Sequence, residues 1–250
     1  MKVLSVFGSA AVAATALLSL IPSTAAHMAM SHPPGQAGPW TNNHSNRMHA
    51  WIGFEGKKFP CGGYPKGPVT KYRAGEVIDV RFFVYEIGSW TRFPPTPGIR
   101  NARHGGGACE FSLSYDGGKT WKVIAQYTRT CPDVYYKWPV QIPKNVPSCT
   151  DSNKCLFAFS WTGFDVKQFY HHCANVQIIG VKNGKLPTLD MTVVDVPGRN
   201  VRQNVVARGD NDPIKGPGPN PAEVARNTNG FYAYGGAGKG KGINLGYIQL

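Results

Sequence analysis

The chain has 250 residues, 42% of them hydrophobic and only 16% charged, with 30 glycines, 20 prolines and a formal net charge of +13. That length supports one domain with a sizeable core. The 27 Lys and Arg residues are scattered and form no recognisable nucleic-acid module, which sets nucleic acid aside as a partner, and no membrane role is expected.

The N-terminus reads as a secretory signal. Lys2 supplies the positive start, Val3 to Leu20 is apolar and too short for a membrane span, and Thr24-Ala25-Ala26 is a small-residue cleavage site. Cleavage after Ala26 makes residues 1–26 a signal peptide and leaves His27 as the first residue of a secreted, extracellular chain. All six cysteines follow it: Cys61, Cys109, Cys131, Cys149, Cys155 and Cys173. In an oxidising compartment they imply up to three disulfides, with fifteen connectivities open. Asn43-His44-Ser45 is a glycosylation sequon.

From there the chain shows short runs rich in Val, Ile, Phe and Tyr between Gly and Pro clusters, with little helical periodicity. Strands are predicted over Glu76–Tyr85, Cys109–Tyr115, Lys122–Tyr127, Cys155–Gly163 and Asn175–Val181. Helices are expected to be short and confined to the Trp40–Gly67 region. The spacing predicts an all-β fold, an immunoglobulin- or fibronectin-like antiparallel β-sandwich with long loops, spanning residues 27–198. Between the second and third of these strands, "SYDGGKTW" (Ser114–Trp121) marks a tight hairpin, with Asp-Gly-Gly supplying the φ > 0 positions. It also matches the Asp-box pattern of sialidase propellers, but one copy in a chain this short reads as a stable hairpin. After Pro197 the composition shifts: residues 199–250, with "KGPGPNP" and "YGGAGKGKG", are expected to form a basic, largely disordered tail.

Seven histidines remain to be explained. Cleavage after Ala26 gives His27 a free α-amine beside its imidazole, and the amine, with an ordinary pKa near 8, deprotonates easily on a metal. Amine and ring nitrogen together chelate one ion, and a second imidazole completes a three-nitrogen set that favours copper. His104 in "NARHGGGACEFSLSY" is the candidate second imidazole, because Gly105-Gly106-Gly107 lets backbone and ligand approach closely.

Four motifs in order carry a resemblance: "HMAM" at His27, "FPCGGY" at Phe59–Tyr64, "HGGGAC" at His104–Cys109 and "QFYHHCANVQI" at Gln168–Ile178. Together they resemble the fungal lytic polysaccharide monooxygenases, most of all the chitin-active auxiliary-activity family eleven. The resemblance implies one copper ion held by His27 and His104, with Tyr170 as a weak axial ligand. It implies an external reductant, with peroxide or dioxygen as co-substrate, and insoluble chitin or cellulose as the partner of a monomeric, secreted oxidoreductase. Gln168 lies two residues before Tyr170, on the same face of a strand, where it would hydrogen-bond a bound oxygen species. Gln here, in place of Glu, resembles the cellulose-active family nine instead and leaves chitin against cellulose open. His171 and His172 point to opposite faces of a strand, so at most one of them faces the metal. The resemblance further implies the pairs Cys61–Cys173 and Cys109–Cys131, leaving Cys149–Cys155 as a local loop. Trp40, Trp51, Tyr64 and Trp90 are candidates for stacking on sugar rings. Two rivals stay open: a non-catalytic copper- or chitin-binding protein of the same fold, and a glycoside hydrolase, which needs paired carboxylates.

Overall fold

The computed structural model describes residues 28–38, 41–84, 104, 106–127, 131–134, 138–164 and 168–196 in full, and the backbone of the strand ends and short strands beyond them. The segments before Met28 lie outside this set. Among the described residues the only helices are two 3-10 turns, Asn46–His49 and Phe54–Gly56, both within the region expected to hold them. None is long and apolar enough to cross a membrane.

The fold is an all-β sandwich. One sheet holds β1 (Met28–His32), β3 (Val77–Glu86), β4 (Ser89–Trp90) and β7 (Trp138–Gln141). The other holds β2 (Val69–Arg73), β5 (Gly106–Ser114), β6 (Lys122–Thr128), β8 (Leu156–Gly163), β9 (Phe169–Ile179) and β10 (Arg208–Gly209). Three short strands, β11 (Ala225–Asn227), β12 (Gly230–Tyr234) and β13 (Gly242–Asn244), pair among themselves within the C-terminal tail.

The five predicted strands are all present, and the differences have physical causes. β9 starts at Phe169, six residues before the predicted Asn175, because a run of Tyr, two His and Cys hides a strand that is covered on both faces. β1, β2 and β7 were not expected; each is short, and β7 carries a proline. One pairing departs from an antiparallel sandwich: β2 runs parallel to β9, with Val69 opposite Asn175 and Arg73 opposite Ile179.

Between the sheets Phe82, Trp138, Phe111, Phe157, Phe159, Trp161 and Tyr170 pack into the main core. The other face of the six-stranded sheet is covered too. Ile52, Trp121, Val123, Ala158, Phe169, Cys173 and Met191 form a second cluster there. This double burial explains why "CLFAFSWTG" is a continuous apolar run rather than an alternating one. The Asp116 carboxylate ties the hairpin, accepting from Ser114 Oγ (2.8 Å), the Lys119 and Thr120 amides (3.0 Å each) and Thr120 Oγ1 (2.7 Å). All three disulfides form as expected: Cys61–Cys173, Cys109–Cys131 and Cys149–Cys155.

A buried carboxylate locks the second cluster to the sheet. Glu110 on β5 accepts from Gln126 Nε2 (2.8 Å), the Thr192 amide (2.6 Å) and Thr192 Oγ1 (3.2 Å). Burial nonetheless outweighs these donors and pushes its carboxyl up to about 7. Between about pH 4.5 and 7 the folded chain therefore holds a proton that the unfolded chain has lost. The stabilisation is complete below the unfolded value and disappears as pH rises through about 7. Glu110→Gln is expected to flatten the stability profile across that window and to raise stability at pH 8, measured by denaturant melts from pH 4 to 8.

Candidate functional site

Where β8 ends and β9 begins, the Gly163 amide donates to the Gln168 carbonyl at 3.3 Å. The register places Trp161 opposite Tyr170 and, on the other side, opposite Cys109. Gln168, Tyr170 and Trp161 therefore gather at the end of the sheet where the His104 loop enters β5.

There the Tyr170 hydroxyl donates to Gln168 Oε1 at 2.6 Å, and His104 Nε2 lies 3.1 Å from the same phenol oxygen. With the phenol hydrogen committed to Gln168, His104 Nε2 is the donor in that pair and its Nδ1 carries the lone pair. Burial pushes the Tyr170 phenol well above its ordinary range, so it stays protonated at neutral pH. Trp161, fully buried, stacks on both rings: 5.5 Å and 22° to His104, 4.6 Å and 26° to Tyr170.

His104 itself sits in the left-handed region at φ 49°, where a non-glycine residue costs about 1 kcal/mol or more. Gly107, three residues on, has a visible purpose. A Cβ on Gly107, at φ 151°, would lie 2.3 Å from Trp161 Nε1 and 2.4 Å from the Thr162 carbonyl. Gly107→Ala is expected to destabilise the fold by more than about 1 kcal/mol and to displace the indole beneath His104. Thermal melts and near-UV circular dichroism check the two parts.

His27 lies outside the described residues; β1 begins at the next residue, Met28. The structure thus brings together three of the four residues expected at the site. Among the described residues one group of three His and Cys donors converges, Cys61, His171 and Cys173, and its two sulfurs are taken by the disulfide. Among the described residues, no such group of three includes His104.

His171 and His172 do point to opposite faces, and both have other work. His171 Nδ1 accepts from the Cys61 amide at 3.0 Å, and its ring packs on Phe59 and Trp121. His172 Nδ1 accepts from the Met30 amide at 3.2 Å. Each histidine thus makes a bond to a distant backbone amide. Of the candidate stacking residues, Trp51 is half-buried, packs edge-on to Phe54 (4.6 Å) and touches the main core. Tyr64 is half-buried against Met48, with its hydroxyl 3.4 Å from Ser45 Oγ. Trp40 lies outside the described residues, and of Trp90 only the backbone, in β4, is described.

Lys57 carries no signal of its role in the sequence. Its ammonium is buried and donates to the Met48 and Ala50 carbonyls at 2.8 and 2.5 Å, closing the first 3-10 turn. Burial brings it down to about 7.

No family model matches the chain. Over 138 residues it is 34% identical to an AA11 family lytic polysaccharide monooxygenase A of Aspergillus fumigatus. Over that span the chain is similar to this protein. The match covers 53% of this chain and 53% of that protein, so the chain spans about half the length of the curated relative it matches. The resemblance carried by the four sequence motifs is thereby borne out, and the two-sheet sandwich agrees with it.

Proposed function

We propose that the chain is a secreted, copper-dependent lytic polysaccharide monooxygenase. Its substrate is insoluble β-1,4-linked polysaccharide, chitin before cellulose. The reading rests on one observation: His104 and the Gln168–Tyr170 pair, more than sixty residues apart in sequence, share a hydrogen-bonded cluster at one end of the sandwich.

The donor set suits copper. His104 offers an imidazole nitrogen, Tyr170 a neutral phenol that binds weakly, and cleavage after Ala26 would add the amine and imidazole of His27. Bound copper supplies the redox activation of dioxygen or peroxide that side chains cannot, with electrons from an external reductant. The residues of the chain do the rest. Trp161 fixes the planes of His104 and Tyr170 by stacking, and Gly107 makes room for it. Gln168 holds the phenol hydrogen through Oε1, which leaves its amide N–H groups as donors toward an oxygen ligand. The remaining expectations belong to the same proposal: a domain of residues 27–198, a basic tail after it, and monomeric action on the polymer surface.

The test has two parts. Mass spectrometry of the secreted protein is expected to find His27 first and one copper per chain. Incubation with copper and ascorbate is expected to release oxidised oligosaccharides from chitin, and fewer from cellulose. A start at another residue removes the amine ligand and sinks the copper site. Tight copper binding without oxidised product on either polymer leaves a non-catalytic binding protein. Soluble product formed regardless of chelators points to a hydrolase.

A further inference from the structure

Among the described residues β1 pairs with β3 alone, at the edge of its sheet. The Met30 amide finds its partner elsewhere: it donates to Nδ1 of His172 on the opposite sheet, at 3.2 Å. Met30 is 0% and His172 5% exposed, so neither group has water as a substitute. His172 lies two residues after Tyr170 and four after Gln168, on the same strand face as Tyr170. The next links between this segment and β9 lie further along the chain: Gln36 N to the Cys173 carbonyl at 2.8 Å, and Gln36 Nε2 to Asn175 Oδ1 at 3.0 Å. Among the described residues, the His172 bond is thus the side-chain link to β9 nearest the chain start.

We infer that His172 is a positioning residue that sets the height of β1, and with it the first residue of the mature chain, against the strand carrying Tyr170. The inference rests on the reading of His27 as that first residue and copper ligand. The register of β1 against β3 shifts between Met30 and His32, directly beside the residue whose amide reaches His172. A slip of one residue along a strand moves the chain by about 3.3 Å and reverses its faces. A preorganised metal site tolerates about 0.5 Å. The bond from His172 is directional, comes from the other sheet, and acts three residues from His27. An acceptor Nδ1 also requires the ring hydrogen on Nε2, so the bond selects one tautomer.

Two variants and one measurement on the wild-type chain test this. His172→Leu removes the acceptor but keeps an apolar filler. His172→Asn places Oδ1 near the position of the lost Nδ1. With His172→Leu, Cu(II) affinity is expected to fall by about 10- to 100-fold, the range of lost supporting contacts around metal ligands. The copper electron paramagnetic resonance spectrum is expected to change with it. His172→Asn is expected to restore most of the affinity and the wild-type spectrum, whatever its melting temperature. A merely structural role would move melting temperature and leave the spectrum of the folded fraction alone. Wild-type affinity and spectrum in His172→Leu overturn the inference, as does an Asn variant no better than Leu. Should the Leu variant not fold, amide exchange decides on the wild-type chain. Met30 N–H is expected to be among the protected amides, and fast exchange there overturns the role. A wild-type chain that takes up no copper while Met30 stays protected overturns the copper reading instead.

Discussion

His104→Ala is expected to lower copper affinity by at least about 100-fold and to abolish oxidised product, while the chain stays folded. The magnitude follows from comparison: supporting groups around metal ligands are already worth about 10- to 100-fold, and His104 is proposed as a ligand itself. Stability has less to lose. His104 is half-buried on a loop and adopts a strained backbone, so alanine removes the imidazole and its stacking on Trp161 but opens no cavity in the main core. Titration calorimetry gives the affinity, and mass spectrometry of released oligosaccharides gives the activity. Tyr170→Phe provides the contrast. It keeps the ring that stacks on Trp161 and loses only the hydroxyl shared by His104 and Gln168. If His104→Ala keeps wild-type copper affinity, the proposed centre is in the wrong place.

The parts of the site that were legible in the sequence are those governed by local rules. Strand alternation puts Gln168 and Tyr170 together because they are two residues apart, and it separates His171 from His172 for the same reason. What those side chains meet is a long-range fact. His171 receives a bond from Cys61, 110 residues earlier, and His172 from Met30, 142 residues earlier. No local pattern encodes either. Trp161 shows the same limit: in "CLFAFSWTG" it reads as one more core aromatic. Only the registers of β8 against β5 and β9 slide it beneath both His104 and Tyr170. Lys57 was illegible for another reason. A lysine in a loop is ordinarily exposed, and its burial depends on two carbonyls of a 3-10 turn that themselves have no strong sequence signature.

Removing the Cys61–Cys173 disulfide by the double change to alanine is expected to cost about 5 kcal/mol and roughly 10–20 °C in Tm. The bridge closes 112 residues, against 6 for Cys149–Cys155, whose removal on the same chain-entropy argument costs about 2 kcal/mol. The order of the two effects is itself a test, because strain or residual structure in the unfolded chain would scramble it. The long bridge also does something the short one cannot. Cys173 lies three residues after Tyr170 on β9, and the Cys61 amide bonds His171 between them, so the loop holding Phe59 and Lys57 is stitched to the strand that carries the site. Loss of the bridge is therefore expected to weaken copper binding as well as stability, whereas loss of Cys149–Cys155 is expected to lower Tm alone. Both alanine changes must be made together. A change at Cys61 alone leaves the Cys173 thiol 3.6 Å from His171 Nδ1, a donor pair that would itself attract copper and mask weaker binding at His104. Equal copper affinity in the bridged and unbridged chains would show that β9 holds Tyr170 in place without the loop, and would confine the disulfide to stability.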